Sequence, residues 1–103
     1  MPLRIVVRHN GYAPIVACDE CGREIATAAD GNYQWHLAAG TAPEAIYFTH
    51  KTCCRAFEAK RPAQTNGWIW GSMGLVVLPV YLERNLAIDH RTAADLADRM
   101  GAL

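Results

Sequence analysis

The sequence has no surplus of charge of either sign, because its ten Lys and Arg residues are balanced by ten Asp and Glu residues. Proteins that bind nucleic acid over a broad surface usually carry a basic excess. The balance therefore argues against a general nucleic-acid binder, while it leaves room for a local basic patch. The chain is also short: its 103 residues accommodate one domain, or one small domain with an appended pair of helices.

The sequence also lacks segments that direct a chain to or across a membrane. Residues 1–7 contain no long apolar stretch followed by a cleavage site, so no secretory signal is predicted. Residues 68–82 are free of charge, but this run of fifteen residues is interrupted by Gly71, Gly74 and Pro79. A membrane span needs about 20 apolar residues. We therefore expect a cytoplasmic protein with no membrane-spanning helix.

Cysteine is scarce, but its four copies are not scattered. Cys18 and Cys21 form a C-x-x-C pair, and His50 and Cys53 form a second pair with the same two-residue gap, after 28 intervening residues. Thiolate and imidazole groups together suit tetrahedral Zn²⁺. Four protein ligands would close the coordination shell and leave no position for a reacting water. The spacing therefore predicts structural rather than catalytic zinc.

Two other chemistries of the cysteines match the sequence less well. Disulfides would suit a secreted protein, but no secretory signal is present, and the adjacent Cys53 and Cys54 fit poorly in a disulfide framework. A redox C-x-x-C pair expects a βαβ setting, whereas Gly22 follows Cys21 at once. The identity of the fourth zinc ligand is not decided by this pattern, because on a helix His50 would share a face with both Cys53 and Cys54. The repeated two-residue gap favours Cys53.

The predicted elements around these ligands are, in order, a zinc knuckle, a β-hairpin, a strand and a helix that carries the second ligand pair. This arrangement, within residues 16–61, resembles the treble-clef and zinc-ribbon group of zinc fingers. The resemblance implies Cys18, Cys21, His50 and Cys53 as the ligands of one zinc ion. It implies no partner and no activity, because treble clefs serve many functions.

The rest of the chain has a helical pattern. Residues 68–82 are predicted to form a buried helix, or a helix followed by a turn, and a last helix is predicted to begin at Asp89 as its N-cap. We expect a small α+β fold made of two parts. Residues 1–62 form a zinc-stapled β-hairpin and helix, and residues 63–103 form an apolar tail of two helices that packs on this module or on a partner.

Two surfaces are candidates for partner binding. The helix after the second ligand pair carries basic residues that could contact phosphates, although a solvated helix face is the plainer interpretation. These residues are Lys51, Arg55, Lys60 and Arg61. The charge-free segment carries large apolar residues that suit either a protein interface or packing on the zinc module. These residues are Trp68, Trp70, Leu75, Leu78 and Leu82.

The patterns together predict a non-enzymatic structural-zinc module for protein–protein interaction or assembly, with a protein partner or a second copy of the chain. The alternative is nucleic-acid binding through the basic helix, in the manner of a transcription regulator. An enzyme is not expected. The H-x-E and P-C-x-x-C signatures of zinc deaminases and a nucleophile elbow around a serine are missing from the sequence. No small-molecule substrate is evident.

Overall fold

The computed structural model describes residues 3–37, 45–60 and 69–99. In this part of the chain, five strands lie in two antiparallel sheets and are joined by three α-helices. The strands are β1 Leu3–Arg8, β2 Gly11–Val16, β3 Gly31–Leu37, β4 Tyr47–His50 and β5 Ile69–Gly74. The helices are α1 Cys54–Lys60, α2 Leu78–Asn85 and α3 His90–Arg99. The predicted α+β class is confirmed.

The first sheet is a two-stranded hairpin. β1 and β2 pair along their whole length, with Arg8 opposite Gly11 beside the turn. His9 and Asn10 form the turn and both have positive φ angles, 49° and 63°. Two consecutive left-handed residues are typical of a type I′ turn, whose twist matches the twist of the strands. The turn therefore fixes the register of the hairpin.

The second sheet has the strand order β4-β3-β5, with both pairs antiparallel. Side chains at alternate positions of β3 point to opposite faces of this sheet. Gln34 on one face contacts α1 through a hydrogen bond to Glu58. Tyr33 on the other face joins the main hydrophobic cluster together with Phe48 of β4. The sheet thus separates the helix α1 from the main hydrophobic cluster.

β5 corrects the sequence-based expectation for residues 68–82. In place of the expected buried helix, Ile69–Gly74 is a strand that pairs with β3. A short uncharged run cannot be assigned to a buried strand or a buried helix by periodicity alone. Glycine disfavours a helix interior, and in the sheet Gly71 lies opposite Trp35. A Cβ atom at residue 71 would lie 2.4 Å from Cε2 of Trp35, so the indole packs directly on the glycine backbone.

Two helices follow β5, as predicted, but the first begins later than expected. A 3₁₀ turn at Leu75–Val77 leads into α2, which starts at Leu78. Pro79 lies in the first turn of α2, where a missing N–H breaks no hydrogen bond of the helix. Among the described residues, no helix is long and apolar enough to cross a membrane.

The last helix has the N-cap that the sequence predicts. The Oδ1 atom of Asp89 accepts hydrogen bonds from the backbone N–H groups of Arg91 at 3.0 Å and Thr92 at 3.2 Å. His90 at the start of α3 is also linked to Glu83 of α2, with 2.7 Å between Nδ1 and Oε1. The cap and this contact fix the corner between the two helices.

The core is small. Its buried apolar residues in the described part of the chain are Ala17, Cys18, Ile25, Tyr33, Phe48, Phe57 and Leu75. Leu78 and Trp35 pack against this cluster from its edge. Two members of the predicted interface, Leu75 and Leu78, therefore pack within the monomer. The predicted division at residues 62 and 63 stays a prediction, although β5 hydrogen-bonds along β3 and so belongs to the same sheet as β4.

The close approach of Trp35 to Gly71 gives a test of β5. We expect Gly71→Ala to lower the free energy of unfolding by about 1–3 kcal/mol, because the new methyl group must displace a packed indole. Gly74→Ala is the matched control in the same strand, since its Cβ would meet nothing closer than Val76 at 3.8 Å. Urea unfolding of both variants measures the difference. Equal stabilities would contradict the strand position of Gly71.

Candidate metal centre

The first half of the centre is a tight loop at Cys18–Cys21. The loop is closed by hydrogen bonds from the Cys18 N–H to the Arg23 carbonyl at 2.8 Å and from the Gly22 N–H to the Cys18 carbonyl at 2.9 Å. Gly22 has a φ angle of 77°, which a residue with a Cβ atom rarely adopts. The backbone thereby turns back on itself directly after Cys21.

Three backbone N–H groups point at the sulfur of Cys18. Glu20 and Cys21 donate from the loop, at 3.4 and 3.5 Å, and His50 donates from the end of β4 at 3.4 Å. Cys18 is almost fully buried, with 2% of its surface exposed. Burial alone would raise the pKa of this thiol, but the N–H groups outweigh it and lower the pKa to about 7. The site is therefore built for a thiolate.

The second half of the centre lies where β4 meets α1. His50 is the last residue of β4, and Cys53 lies in the 3₁₀ turn Lys51–Cys53 that precedes α1. The expectation that His50 begins a helix is therefore wrong: its φ and ψ angles of −61° and 149° are extended. The assumption of one continuous helix could not distinguish Cys53 from Cys54, whereas a strand followed by a tight turn can.

The imidazole of His50 is held in one orientation. Its Nε2 atom lies 3.1 Å from the carbonyl oxygen of Glu24, and because a carbonyl only accepts, Nε2 carries the proton. The lone pair of Nδ1 is then directed at the sulfur atoms, with Cys21 Sγ at 3.4 Å and Cys53 Sγ at 4.0 Å. A backbone carbonyl that fixes the tautomer is the usual second contact of a metal-binding histidine.

The structure brings four of the predicted side chains together. The Sγ atoms of Cys18, Cys21 and Cys53 and a ring nitrogen of His50 all lie within 4.8 Å of one another. A tetrahedral zinc ion with Zn–S bonds of about 2.3 Å separates its sulfur ligands by about 3.8 Å. The group therefore has the size and the donor set of a Cys3His metal site.

Cys54, the alternate fourth ligand, has a different partner. Its thiol donates a hydrogen bond to Oε2 of Glu58, one turn along α1, at 3.0 Å. Burial, followed by this carboxylate, raises the pKa of Cys54 to about 11. The same oxygen of Glu58 accepts from Nε2 of Gln34 at 2.9 Å, and Gln34 in turn accepts from the hydroxyl of Thr49. Cys54 thus belongs to a polar network on the opposite face of the sheet.

The thiol of Cys53 lies in surroundings that oppose its ionisation. Burial, and then the neighbouring sulfur atoms of Cys18 and Cys21, raise its pKa to about 11. Three sulfur atoms at this spacing cannot all be thiolates without a compensating positive charge. A bound cation would supply that charge, since a metal ion deprotonates the thiols that bind it.

Two contacts that sequence reasoning missed join the halves of the centre. Asp19 forms a reciprocal pair with Phe48 of β4: its N–H donates to the Phe48 carbonyl at 2.7 Å, and its Oδ2 accepts from the Phe48 N–H at 2.8 Å. Glu20 accepts a bond from Lys60 of α1 at 2.6 Å. The only sequence signal for these contacts was the presence of two acidic residues, Asp19 and Glu20, between the two cysteines of the knuckle.

The other predicted site residues are spread over the surface. Lys51 and Arg55 are exposed, while Lys60 is paired with Glu20. Arg61 and Trp68 lie outside the described residues. Trp70 packs in an aromatic cluster on the α1 side of the sheet, and Leu82 is exposed on α2. The aromatic cluster consists of His36, Tyr47, Phe57 and Trp70.

Comparisons with protein-family models, with curated proteins and with solved structures find no match to this chain. The interpretation of the centre therefore rests on the residues themselves.

The Asp19 carboxylate gives a test of how the two halves are joined. We expect Asp19→Ala to lower the free energy of unfolding by about 1–3 kcal/mol, because the partly buried N–H of Phe48 loses its acceptor. Asp30→Ala is the control, since Asp30 accepts only an exposed bond from Thr27. Chemical unfolding at constant metal concentration measures both. Asp19→Ala as stable as Asp30→Ala would contradict this role.

Proposed function

We propose that this protein is a non-enzymatic structural-zinc module of the treble-clef type that serves protein interaction or assembly. One observation carries the proposal: three sulfur atoms and one imidazole nitrogen, from chain segments 28 residues apart, lie within 4.8 Å of one another. Cys18, Cys21 and Cys53 would supply thiolates, and His50 would bind through Nδ1. Four protein ligands occupy all positions of a tetrahedral zinc, which supports a structural role.

The path of the chain around the ligands supports the treble-clef assignment. The knuckle at Cys18–Cys21 precedes the antiparallel strands β3 and β4, and α1 begins one residue after Cys53. The second ligand pair therefore lies between a strand and the helix that follows it. This order differs from the expected knuckle, β-hairpin, strand and helix in two ways: only the strands β3 and β4 lie between the knuckle and α1, and both ligands of the second pair precede the helix.

The small core gives zinc an energetic role. Among the described residues, seven apolar side chains are buried, and chains of this size are marginally stable from burial alone. Structural zinc contributes about 10–16 kcal/mol of apparent binding free energy at neutral pH, and this energy is linked to folding. We therefore expect the region around the knuckle to be folded only when zinc is bound.

The adjacent cysteines give a matched pair of variants. We expect Cys53→Ser to lose stoichiometric zinc and to unfold the knuckle region, because one of four ligands is removed. Cys54→Ser should keep one zinc per chain and lose only about 1–3 kcal/mol of stability, because it alters the bond to Glu58. Elemental analysis and circular dichroism of both purified variants test this. Zinc retained by Cys53→Ser and lost by Cys54→Ser would reassign the ligand.

Zinc binding should depend on pH. Above a pH of about 7 the thiol of Cys18 is mostly ionised, whereas Cys53, with a pKa of about 11, still holds its proton. Binding near pH 8 should therefore release at least one proton, because all three thiols must be ionised in the bound site and Cys53 holds its proton at that pH. Acidification below pH 7 should weaken binding further as Cys18 is protonated. Calorimetric titrations in buffers with different heats of ionisation measure the protons released. Binding that releases no proton would contradict the thiolate site.

The C-terminal helices support the interaction part of the proposal. No residue of α3 is buried, and Leu82, Leu86 and Leu96 are exposed on α2, on its C-terminal side and on α3. Isolated helices shorter than about 12–15 residues are marginal in water, and α3 has ten. A protein partner that covers the apolar stripe of α3 would stabilise it. The balanced charges of the chain also favour a protein over an acidic polymer.

Nucleic-acid binding, the alternative, draws less support. Of the basic residues near α1, Lys60 already pairs with Glu20. Lys51 and Arg55 stay exposed, but two cations make a small electrostatic footprint. We therefore place protein interaction first.

A further inference from the structure

One face of the β1–β2 hairpin carries Arg4 and Arg8 together with Val6, Ala13 and Ile15, and this face contacts the rest of the protein. Arg4 donates to the carbonyl of Gly22 at 3.3 Å, and Arg8 forms an ion pair with Glu24. Both contacts connect the hairpin to the knuckle region. The opposite face carries Val16 at one end, which packs against the core, and five further residues that are here called the outer face: Leu3, Ile5, Val7, Tyr12 and Pro14.

All five residues of the outer face are exposed. Ile5, Val7 and Tyr12 keep 66%, 70% and 63% of their surfaces in contact with solvent. A half-buried strand normally turns its apolar side chains inwards, and a two-stranded hairpin is at best marginally stable by itself. Contiguous apolar patches of this kind are uncommon on soluble monomers and mark interaction sites. The exposure of neighbouring apolar side chains on this face therefore indicates that another surface covers it.

We infer that the outer face binds the outer face of a second copy of this chain, about a two-fold axis close to Ile5. Ile5 lies in the middle of β1, and its neighbours on the face are uncharged. A face without charge can meet an identical face with no repulsion, and two-fold pairing is the commonest solution for identical chains. Two sheets stacked in this way lie about 10 Å apart, with their apolar side chains between them.

Pairing of strand edges would be a poorer way to join two copies. Pro14 has no N–H and lies on β2, so the edge of β2 lacks a donor at its centre. The edge of β1 contains no proline, but joining β1 to β1 would extend the apolar face rather than cover it. Face-to-face packing removes the exposed side chains from water, and we therefore assign the contact to the face.

The contact is expected to be small. Six residues per strand at about 3.4 Å each, in two strands about 4.8 Å apart, give a face roughly 20 Å long and 10 Å wide. Each face covers about 200 Å² in projection, so two of them bury less than the roughly 1,000–1,200 Å² at the lower limit of specific interfaces, and the contact belongs with the weak, transient ones. The dimer should therefore form in the micromolar range of concentration rather than below it.

The test uses the zinc-loaded full chain and measures its mass by light scattering and sedimentation across micromolar concentrations. We expect a concentration-dependent dimer for the natural chain and at least about tenfold weaker association for Ile5→Lys, because two like charges would meet at the axis. Val76→Lys is the matched control: Val76 is 53% exposed, but it lies in the 3₁₀ turn before α2, outside the outer face and α3. A natural chain that stays monomeric throughout would overturn the inference, as would dissociation by Val76→Lys with no effect of Ile5→Lys.

Two further measurements are needed. One distinguishes binding of a second copy from binding of another partner, and the other distinguishes packing of the outer faces from pairing of strand edges. Mixing Ile5→Lys with Ile5→Glu chains should restore dimers as mixed pairs, and no restoration would contradict the two-fold contact. Tyr12→Lys should also weaken the dimer, since Tyr12 lies on β2; dimers unaffected by Tyr12→Lys would indicate edge pairing through β1 and overturn face packing. The zinc content of every variant is measured alongside. One zinc per chain in a monomeric variant separates this inference from the proposed zinc function.

Discussion

The convergence of two distant chain segments on one sulfur atom is the constraint on which this structure depends. The sulfur of Cys18 accepts hydrogen bonds from N–H groups of its own loop and of His50 at the end of β4. Asp19 beside it forms two hydrogen bonds with Phe48. β2 leads into this point and α1 leaves from it. Three neighbouring thiolates at this point would repel one another and oppose the meeting of the two segments. A cation bound among them, as proposed, would convert that repulsion into attraction.

The central sheet explains why two adjacent cysteines have separate chemistry. One face of the sheet carries Tyr33, Phe48 and the candidate metal centre, and the other carries the network of Gln34, Thr49 and Glu58. The chain changes from strand to helix at the edge between these faces. Cys53 therefore turns to one side and Cys54 to the other. The network provides hydrogen-bond partners for the side chains of Gln34 and Thr49, which are fully buried. It takes no part in the candidate metal centre.

Sequence reasoning identified what is encoded in local spacing. The two ligand pairs and the Asp89 cap depend on residues a few positions apart, and such patterns are legible without a fold. The strand β5 was not predicted, because its assignment depends on pairing with β3 and on the indole of Trp35 over Gly71. The contact between His50 and the carbonyl of Glu24 was missed for a related reason: every residue has a backbone carbonyl, so the residue type does not show which one accepts the bond.

The turn at His9 and Asn10 has a consequence for how this surface could change through insertions and deletions. Side chains alternate along a strand, so shifting the register by one residue exchanges the two faces of β1. One residue more or less in the turn would direct Arg4 and Arg8 to solvent and the apolar side chains towards the knuckle. The strands would keep their composition, while the solvent-facing side of β1 would change from Leu3, Ile5 and Val7 to Arg4, Val6 and Arg8. Loop length, which ordinarily varies freely at a surface, is here the determinant of what the hairpin presents to its surroundings.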